Sequence, residues 1–190
     1  MIEFTRKNGA NTLSYDLCVW DSARNPTLPT NDDEACEIME RLSKVADSMN
    51  PVFEEFSSAL VQLHQASLEG KPDDMKAFWG SDPRESAAKC NTAVLRLRLP
   101  TEADIKQFAC VVQAAAKRGL VVYDDELSMV FLPDGTIYPE SLREGWKADL
   151  EELMAGPEDP SLKKPDNRSL LQTIAMELFD AIGRGEKRIY

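Results

Sequence analysis

NTAVLRLRLPTEADIKQFACVVQAAAKRGLVVYDDELSMVFLPDG, residues Asn91–Gly135, is the stretch that decides the fold. Thr92 to Leu99 alternates: Ala93, Leu95, Leu97 and Leu99 share one face, and Thr92, Val94, Arg96 and Arg98 share the other. That period of two predicts a strand with one face on a core and one partly wet. Pro100 cannot donate to a ladder and closes it. Thr101, followed three residues later by Asp104, resembles a capping box and predicts a helix start. Ile105, Phe108, Ala109 and Val112 then recur at helical spacing. Lys117 and Arg118 suit the negative end of that helix, and Gly119 suits the left-handed residue that ends it. Leu120 to Tyr123 restarts as an apolar strand, and Leu127 to Leu132 follows an acidic turn. A strand–helix–strand unit of this length is normally a right-handed crossover between parallel strands.

Outward from this unit, Leu13 to Trp20 (LSYDLCVW) alternates with apolar residues on both faces, which predicts a central strand. Asp16 is its odd member, and is expected either at a wet edge or accepting hydrogen bonds from a neighbouring loop. A helix is predicted from about Asn31, opened by Asp32, Asp33 and Glu34, where the helix dipole favours anions. Its apolar stripe is Ala35, Ile38, Met39, Leu42, Val45, Ala46 and Met49. Asn50-Pro51 breaks it. A second helix, about Val52 to Leu68, points Phe53, Phe56, Leu60 and Leu63 inward. KPDDMKAFWGSDPRES reads as a loop, and Pro133–Thr136 as a turn. Pro139 suits the first turn of an acidic helix reaching about Met154, lined by Leu142, Trp146, Leu150 and Leu153. GPEDPSLKKPDN reads as a linker, and a last helix covers about Arg168 to Ile182, stopped by Gly183.

The order predicts an α+β fold, a ferredoxin-like sandwich with helices on one face of a small sheet and an added C-terminal helix. A small three-layer α/β fold is the rival. Residues 1–155 form the α+β domain, and 156–190 the linker and a helix expected to pack on that same domain. No apolar run separates the basic residues of MIEFTRKNGANTLSYD from a cleavage site, and nothing resembles a transmembrane span, so a cytoplasmic location is expected.

The net charge of −11 is unevenly placed. Asp124 to Pro160 holds eleven acidic residues against Arg143 and Lys147. Such a surface repels nucleic acid and anionic membrane and attracts basic partners, or it serves solubility alone. Four cysteines (Cys18, Cys36, Cys90, Cys110) have no close pair, so they read as reduced structural thiols, with no zinc site. The one histidine, His64, sits beside Leu60 and Leu63 at helical spacing, a half-buried amphipathic position with no nucleophile motif directed to it. Phe78-Trp79-Gly80 is either a plug for the core or part of a recognition surface. Asp124-Asp125-Glu126 is either a solvated turn or, at the C-terminal end of a parallel strand, a site for magnesium or a cationic partner.

Ser14-Tyr15-Asp16-Leu17-Cys18-Val19-Trp20 and Gly119-Leu120-Val121-Val122-Tyr123-Asp124 resemble motifs of a loose family of small bacterial proteins. These carry an N-terminal SYDLxVW strand and a later GLx[VF][YF]D strand, and some are toxin-immunity proteins. The resemblance implies a compact α/β sandwich and a non-enzymatic protein that neutralises a bacterial toxin. Together with the acidic surface and the missing catalytic set, it predicts an immunity protein or antitoxin whose cognate toxin presents a basic surface. Asp124, Asp125, Glu126, Glu140, Glu144, Asp149 and Trp79 are the expected contacts, with no cofactor, no nucleic acid and no membrane as partner. The alternatives are a regulatory or structural homo-oligomer, such as a homodimer through the last helix, and an enzyme with a metal on Asp124, Asp125 and Glu126.

Overall fold

The structure, a computed structural model, describes residues 14–47, 50–67, 79–100, 105–155 and 170–186. The sheet is built around β1 (Ser14–Asp21), as its two-sided apolar pattern predicts. It pairs antiparallel with β2 (Val94–Pro100) on one side and with β3 (Leu120–Asp124) on the other. Beyond β3 the chain meanders through β4 (Met129–Phe131) and β5 (Ile137–Tyr138), a strand too short for periodicity to announce. The result is an antiparallel five-stranded sheet of order β2-β1-β3-β4-β5. Because β2 and β3 each run antiparallel to β1, they run parallel to each other with β1 between them. The helix joining them is therefore a crossover over a split pair.

Six helices accompany the sheet among the described residues, and the fold is α+β. On one face lie α2 (Pro51–Ser67), α4 (Ile105–Ala116), α5 (Arg143–Ala155) and α6 (Leu170–Glu186), with the short α3 (Pro83–Lys89) against β2. α4 is buried on every residue from Gln107 to Ala115, because the sheet lies under it and α2, α5 and α6 surround it. Leu17, Val19, Leu95, Leu97, Leu99 and Val122 meet this layer. Trp146 anchors it, edge-on to Phe108 and Phe131 at ring-centroid distances of 6.3 and 5.1 Å. Ile174, Ala175, Leu178 and Ile182 of α6 join the same core, and Gln113 Nε2 and Lys117 Nζ donate to Glu177 at 2.5 and 2.8 Å.

α1 (Asp32–Leu42) covers the opposite face, which corrects the expectation of helices on one face only. Its Ala35, Ile38, Met39 and Leu42 pack on Cys18, Trp20, Val94, Val121, Tyr123 and Val130. The sheet has two apolar faces, since β3 is buried throughout and β1 from Leu17 to Asp21, so each face must be covered. α1 also ends earlier than its stripe suggests. Val45 is exposed, and Ala46 forms an isolated bridge with Thr92, closed by Asp47 N to Asn91 O and Ala93 N to Val45 O. Pairing with the edge of β2 overrides the helical period there.

Pro83–Ser86, expected as loop, opens a helix (Pro83–Lys89) with Asp82 as N-cap and Pro83 in its first turn, a start signature present in the sequence. α6 runs through Gly183, the expected stop. The Thr101–Asp104 cap, Met49, Phe78, the 156–167 linker and the Leu153 side chain lie outside what is described. Among the described residues, no helix is long and apolar enough to cross a membrane.

Candidate acidic cleft

Asn31 caps α1, its side chain accepting from Glu34 N at 2.9 Å. Glu34 reaches back to accept from Thr30 N and Thr30 Oγ1, both at 2.8 Å. Asn31 thus satisfies one orphan donor of the first turn, and Glu34 fixes the residue before the cap. The Thr30 bonds also hold the Glu34 carboxyl below its ordinary pKa. Glu34 therefore belongs to the cap, while Asp32 and Asp33 remain for other work.

Asp32 Oδ1 accepts from Tyr123 Oη at 2.9 Å, which ties the start of α1 to β3. Burial raises the Tyr123 hydroxyl pKa most, the hydrogen bond to Asp32 next, and the charges of Asp32 and Asp125 add to it. Residues from two remote segments thus meet at one end of the sheet. Beside this contact, Thr30, Asn31, Asp32, Asp33, Tyr138, Pro139 and Glu140 line an open cleft of about 440 Å³. The antiparallel register explains the meeting. Val130 faces Tyr138, so the chain leaving β5 returns toward the β3–β4 turn, and a 3-10 turn at Glu140–Leu142 follows. Asp32 and Asp33 on one wall and Glu140 on the other make a negative recess, with Asp125 and Glu126 exposed on the neighbouring turn.

The expected contact residues divide sharply. Asp125, Glu126, Glu140 and Glu144 are exposed and Asp149 half-buried. Glu144 pairs with Lys147 at 3.4 Å, and neither it nor Asp149 lines the cleft. Trp79 and Asp124 are corrections: both are 0% exposed, so neither side chain offers a surface to a partner. Trp79 is the core plug, because its indole fills the helical-layer core beside β2. Asp124 is held inward because it caps its own turn, Oδ1 accepting from Glu126 N at 3.1 Å and Leu127 N at 2.9 Å. Nor does it end a parallel strand with a ligand crevice beyond, since both neighbours of β3 are antiparallel. Asp32 and Asp33 line the cleft, though the sequence offered them only as acids that open a helix. Their only signal was three consecutive acids where capping uses one.

Among the described residues, no three His, Cys, Asp or Glu side chains come close enough to hold a metal ion. Asp124, Asp125 and Glu126 diverge, one inward and two outward. Cys18 is buried with its thiol raised to about 11, chiefly by burial, so it is not a thiolate nucleophile. His64 is fully buried within α2, deeper than its helical position suggested. Asp16 pairs with Arg98 at 3.2 Å on the wet part of the α1 face. The cleft's carboxylates are suited to accepting N–H groups of a lysine or arginine side chain. Compared with protein-family models, curated proteins and solved structures, the chain shows no match.

Proposed function

We propose that this chain is a non-enzymatic cytoplasmic binding protein of the immunity or antitoxin kind, which masks the basic active-site surface of a bacterial toxin. What carries the reading is the convergence of Asp32, Asp33 and Glu140 on one cleft, with Asp125 and Glu126 beside it. Carboxylates from two separate segments, set around a recess of about 440 Å³, give a partner's cationic side chain both charge and shape to recognise. The SYDLCVW and GLVVYD strands supply the frame on which that recess is built. We also read the β2-α4-β3 unit, split by β1, as the ferredoxin-like part of the fold.

The test begins with capture of the partner at low salt and purification of both proteins. Their affinity is then measured at rising ionic strength, with the wild-type chain and with an Asp32→Lys, Asp33→Lys, Glu140→Lys variant shown to be folded. The expected result is binding that weakens with salt and falls roughly a hundredfold in the variant, the scale of lost charge complementarity. Affinity indifferent to both salt and reversal would sink the reading.

A further inference from the structure

Asp124 is the one carboxylate of the acidic turn that does not reach water. Oδ1 accepts the two backbone N–H groups that shape the turn, whereas Oδ2 is buried without a hydrogen-bond partner. β1 and β4 place Leu17 and Met129 directly opposite it in the sheet, both apolar. The charges that act on it most are like charges from its own turn, Asp125 and Glu126, and no cation among the described residues pairs with it. At the far end of the turn, Ser128 has φ of 54°, a left-handed conformation that a non-glycine residue adopts only under constraint. A buried carboxyl anchor and a strained residue therefore bracket an otherwise exposed loop.

We propose that the β3–β4 hairpin is a proton-controlled latch: protonated Asp124 holds the turn shut, and ionised Asp124 loosens it. The neutral carboxyl leaves Oδ2 as a buried hydroxyl, a moderate desolvation cost. The carboxylate leaves a full charge there, without a counter-ion and beside two like charges. Its least costly relief is local, because swinging the exposed turn outward hydrates the charge without unfolding the sheet. That motion breaks the bonds to Glu126 N and Leu127 N, and releases the constraint on Ser128. Burial, outweighing the two backbone N–H bonds, pushes the carboxyl up to about 7. The folded carboxyl thus keeps its proton to higher pH than the unfolded one. Its contribution is complete below about pH 4, is lost as the pH rises toward about 7, and stays lost above that.

The experiment follows amide hydrogen exchange at Glu126 and Leu127 in the full chain, corrected for the intrinsic pH dependence of exchange. Between about pH 5.5 and about pH 8.5 the wild-type protection at these two amides should fall about tenfold or more, while amides of β1 hold theirs. Asp124→Asn, which copies the neutral acid in shape, should flatten that dependence. Equal loss in wild type and variant, or none in either, overturns the latch. Should the variant fail to fold, titration of the Asp124 side-chain carboxyl carbon in the wild-type protein decides. A midpoint near neutrality that coincides with shifts at the Glu126 and Leu127 amides supports the latch, and a midpoint below about pH 5 overturns it.

Discussion

The two faces of the sheet differ in what covers them. Under α2, α4, α5 and α6 the core holds 29 buried residues among those described, whereas the face under α1 holds 11. On the first face the helical layer is closed, with the rings of Phe108 and Phe131 edge to face around Trp146. On the second, one eleven-residue helix leaves part of the sheet open, and that opening is where Asp16, Arg96, Arg98 and the acidic cleft lie. The thick face supplies the cooperative stability of the domain, and the thin face supplies its recognisable chemistry. The division has a physical basis: buried apolar area, not polar contacts, sets most of the folding free energy, while charged groups serve recognition only where water reaches them.

The hardest blow to that comparison is Trp146→Ala. Its ring is 2% exposed and joins α4, β4 and α5, so removal leaves a cavity that close-packed neighbours fill only in part. A loss of roughly 3–5 kcal/mol is expected, read as a lowered denaturant midpoint in all probes together. A loss under about 1 kcal/mol would mean that the helical layer is not the stabilising one.

Gly135→Ala tests how tightly the layer is closed at its edge. A Cβ there meets the backbone carbonyl of Ala181 on α6 at 2.5 Å, and the residue has φ of +91°. Neither the helix backbone nor the left-handed turn gives way cheaply, so roughly 2–3 kcal/mol should be lost, with α6 the first element to lose protection. Gly183 on the same helix meets nothing within 4 Å, and Gly183→Ala serves as the control that leaves α6 docked.

How far these features can be read in the sequence follows the range of the forces involved. β1, β2 and β3 were legible because each is long enough to show alternation, and α4 because its stripe, charged end and Gly119 agree. The end of α1 was not, since Ala35 through Ala46 keep a helical period and only pairing with Thr92 breaks it. The solvated acidic turn was legible at Asp125 and Glu126. The inward turn of Asp124 was not, because two backbone N–H groups decide it. The cleft was the least legible feature. Nothing local links Asp32 and Asp33 to Glu140, more than a hundred residues away; the β4–β5 register and the Tyr123–Asp32 bond bring them together.

The gentlest perturbation, Leu42→Ala, separates the two faces most cleanly. Leu42 is 7% exposed in the last turn of α1, packed against the smaller core and at the opposite end of that helix from Asp32 and Asp33 of the cleft. Its loss should cost about 2 kcal/mol, the low end for a buried leucine, because a site beside the exposed Lys44 and Val45 relaxes more than a closed one. If α1 is a thin cover on a sheet stabilised from the other side, hydrogen exchange should show α1 opening while α4 and β1 keep wild-type protection. Partner affinity should then fall as well, since Asp32 and Asp33 ride on the same helix as one wall of the cleft. Loss of protection spread evenly across both faces would instead make the sheet one cooperative unit, and the thin face as structural as the thick one.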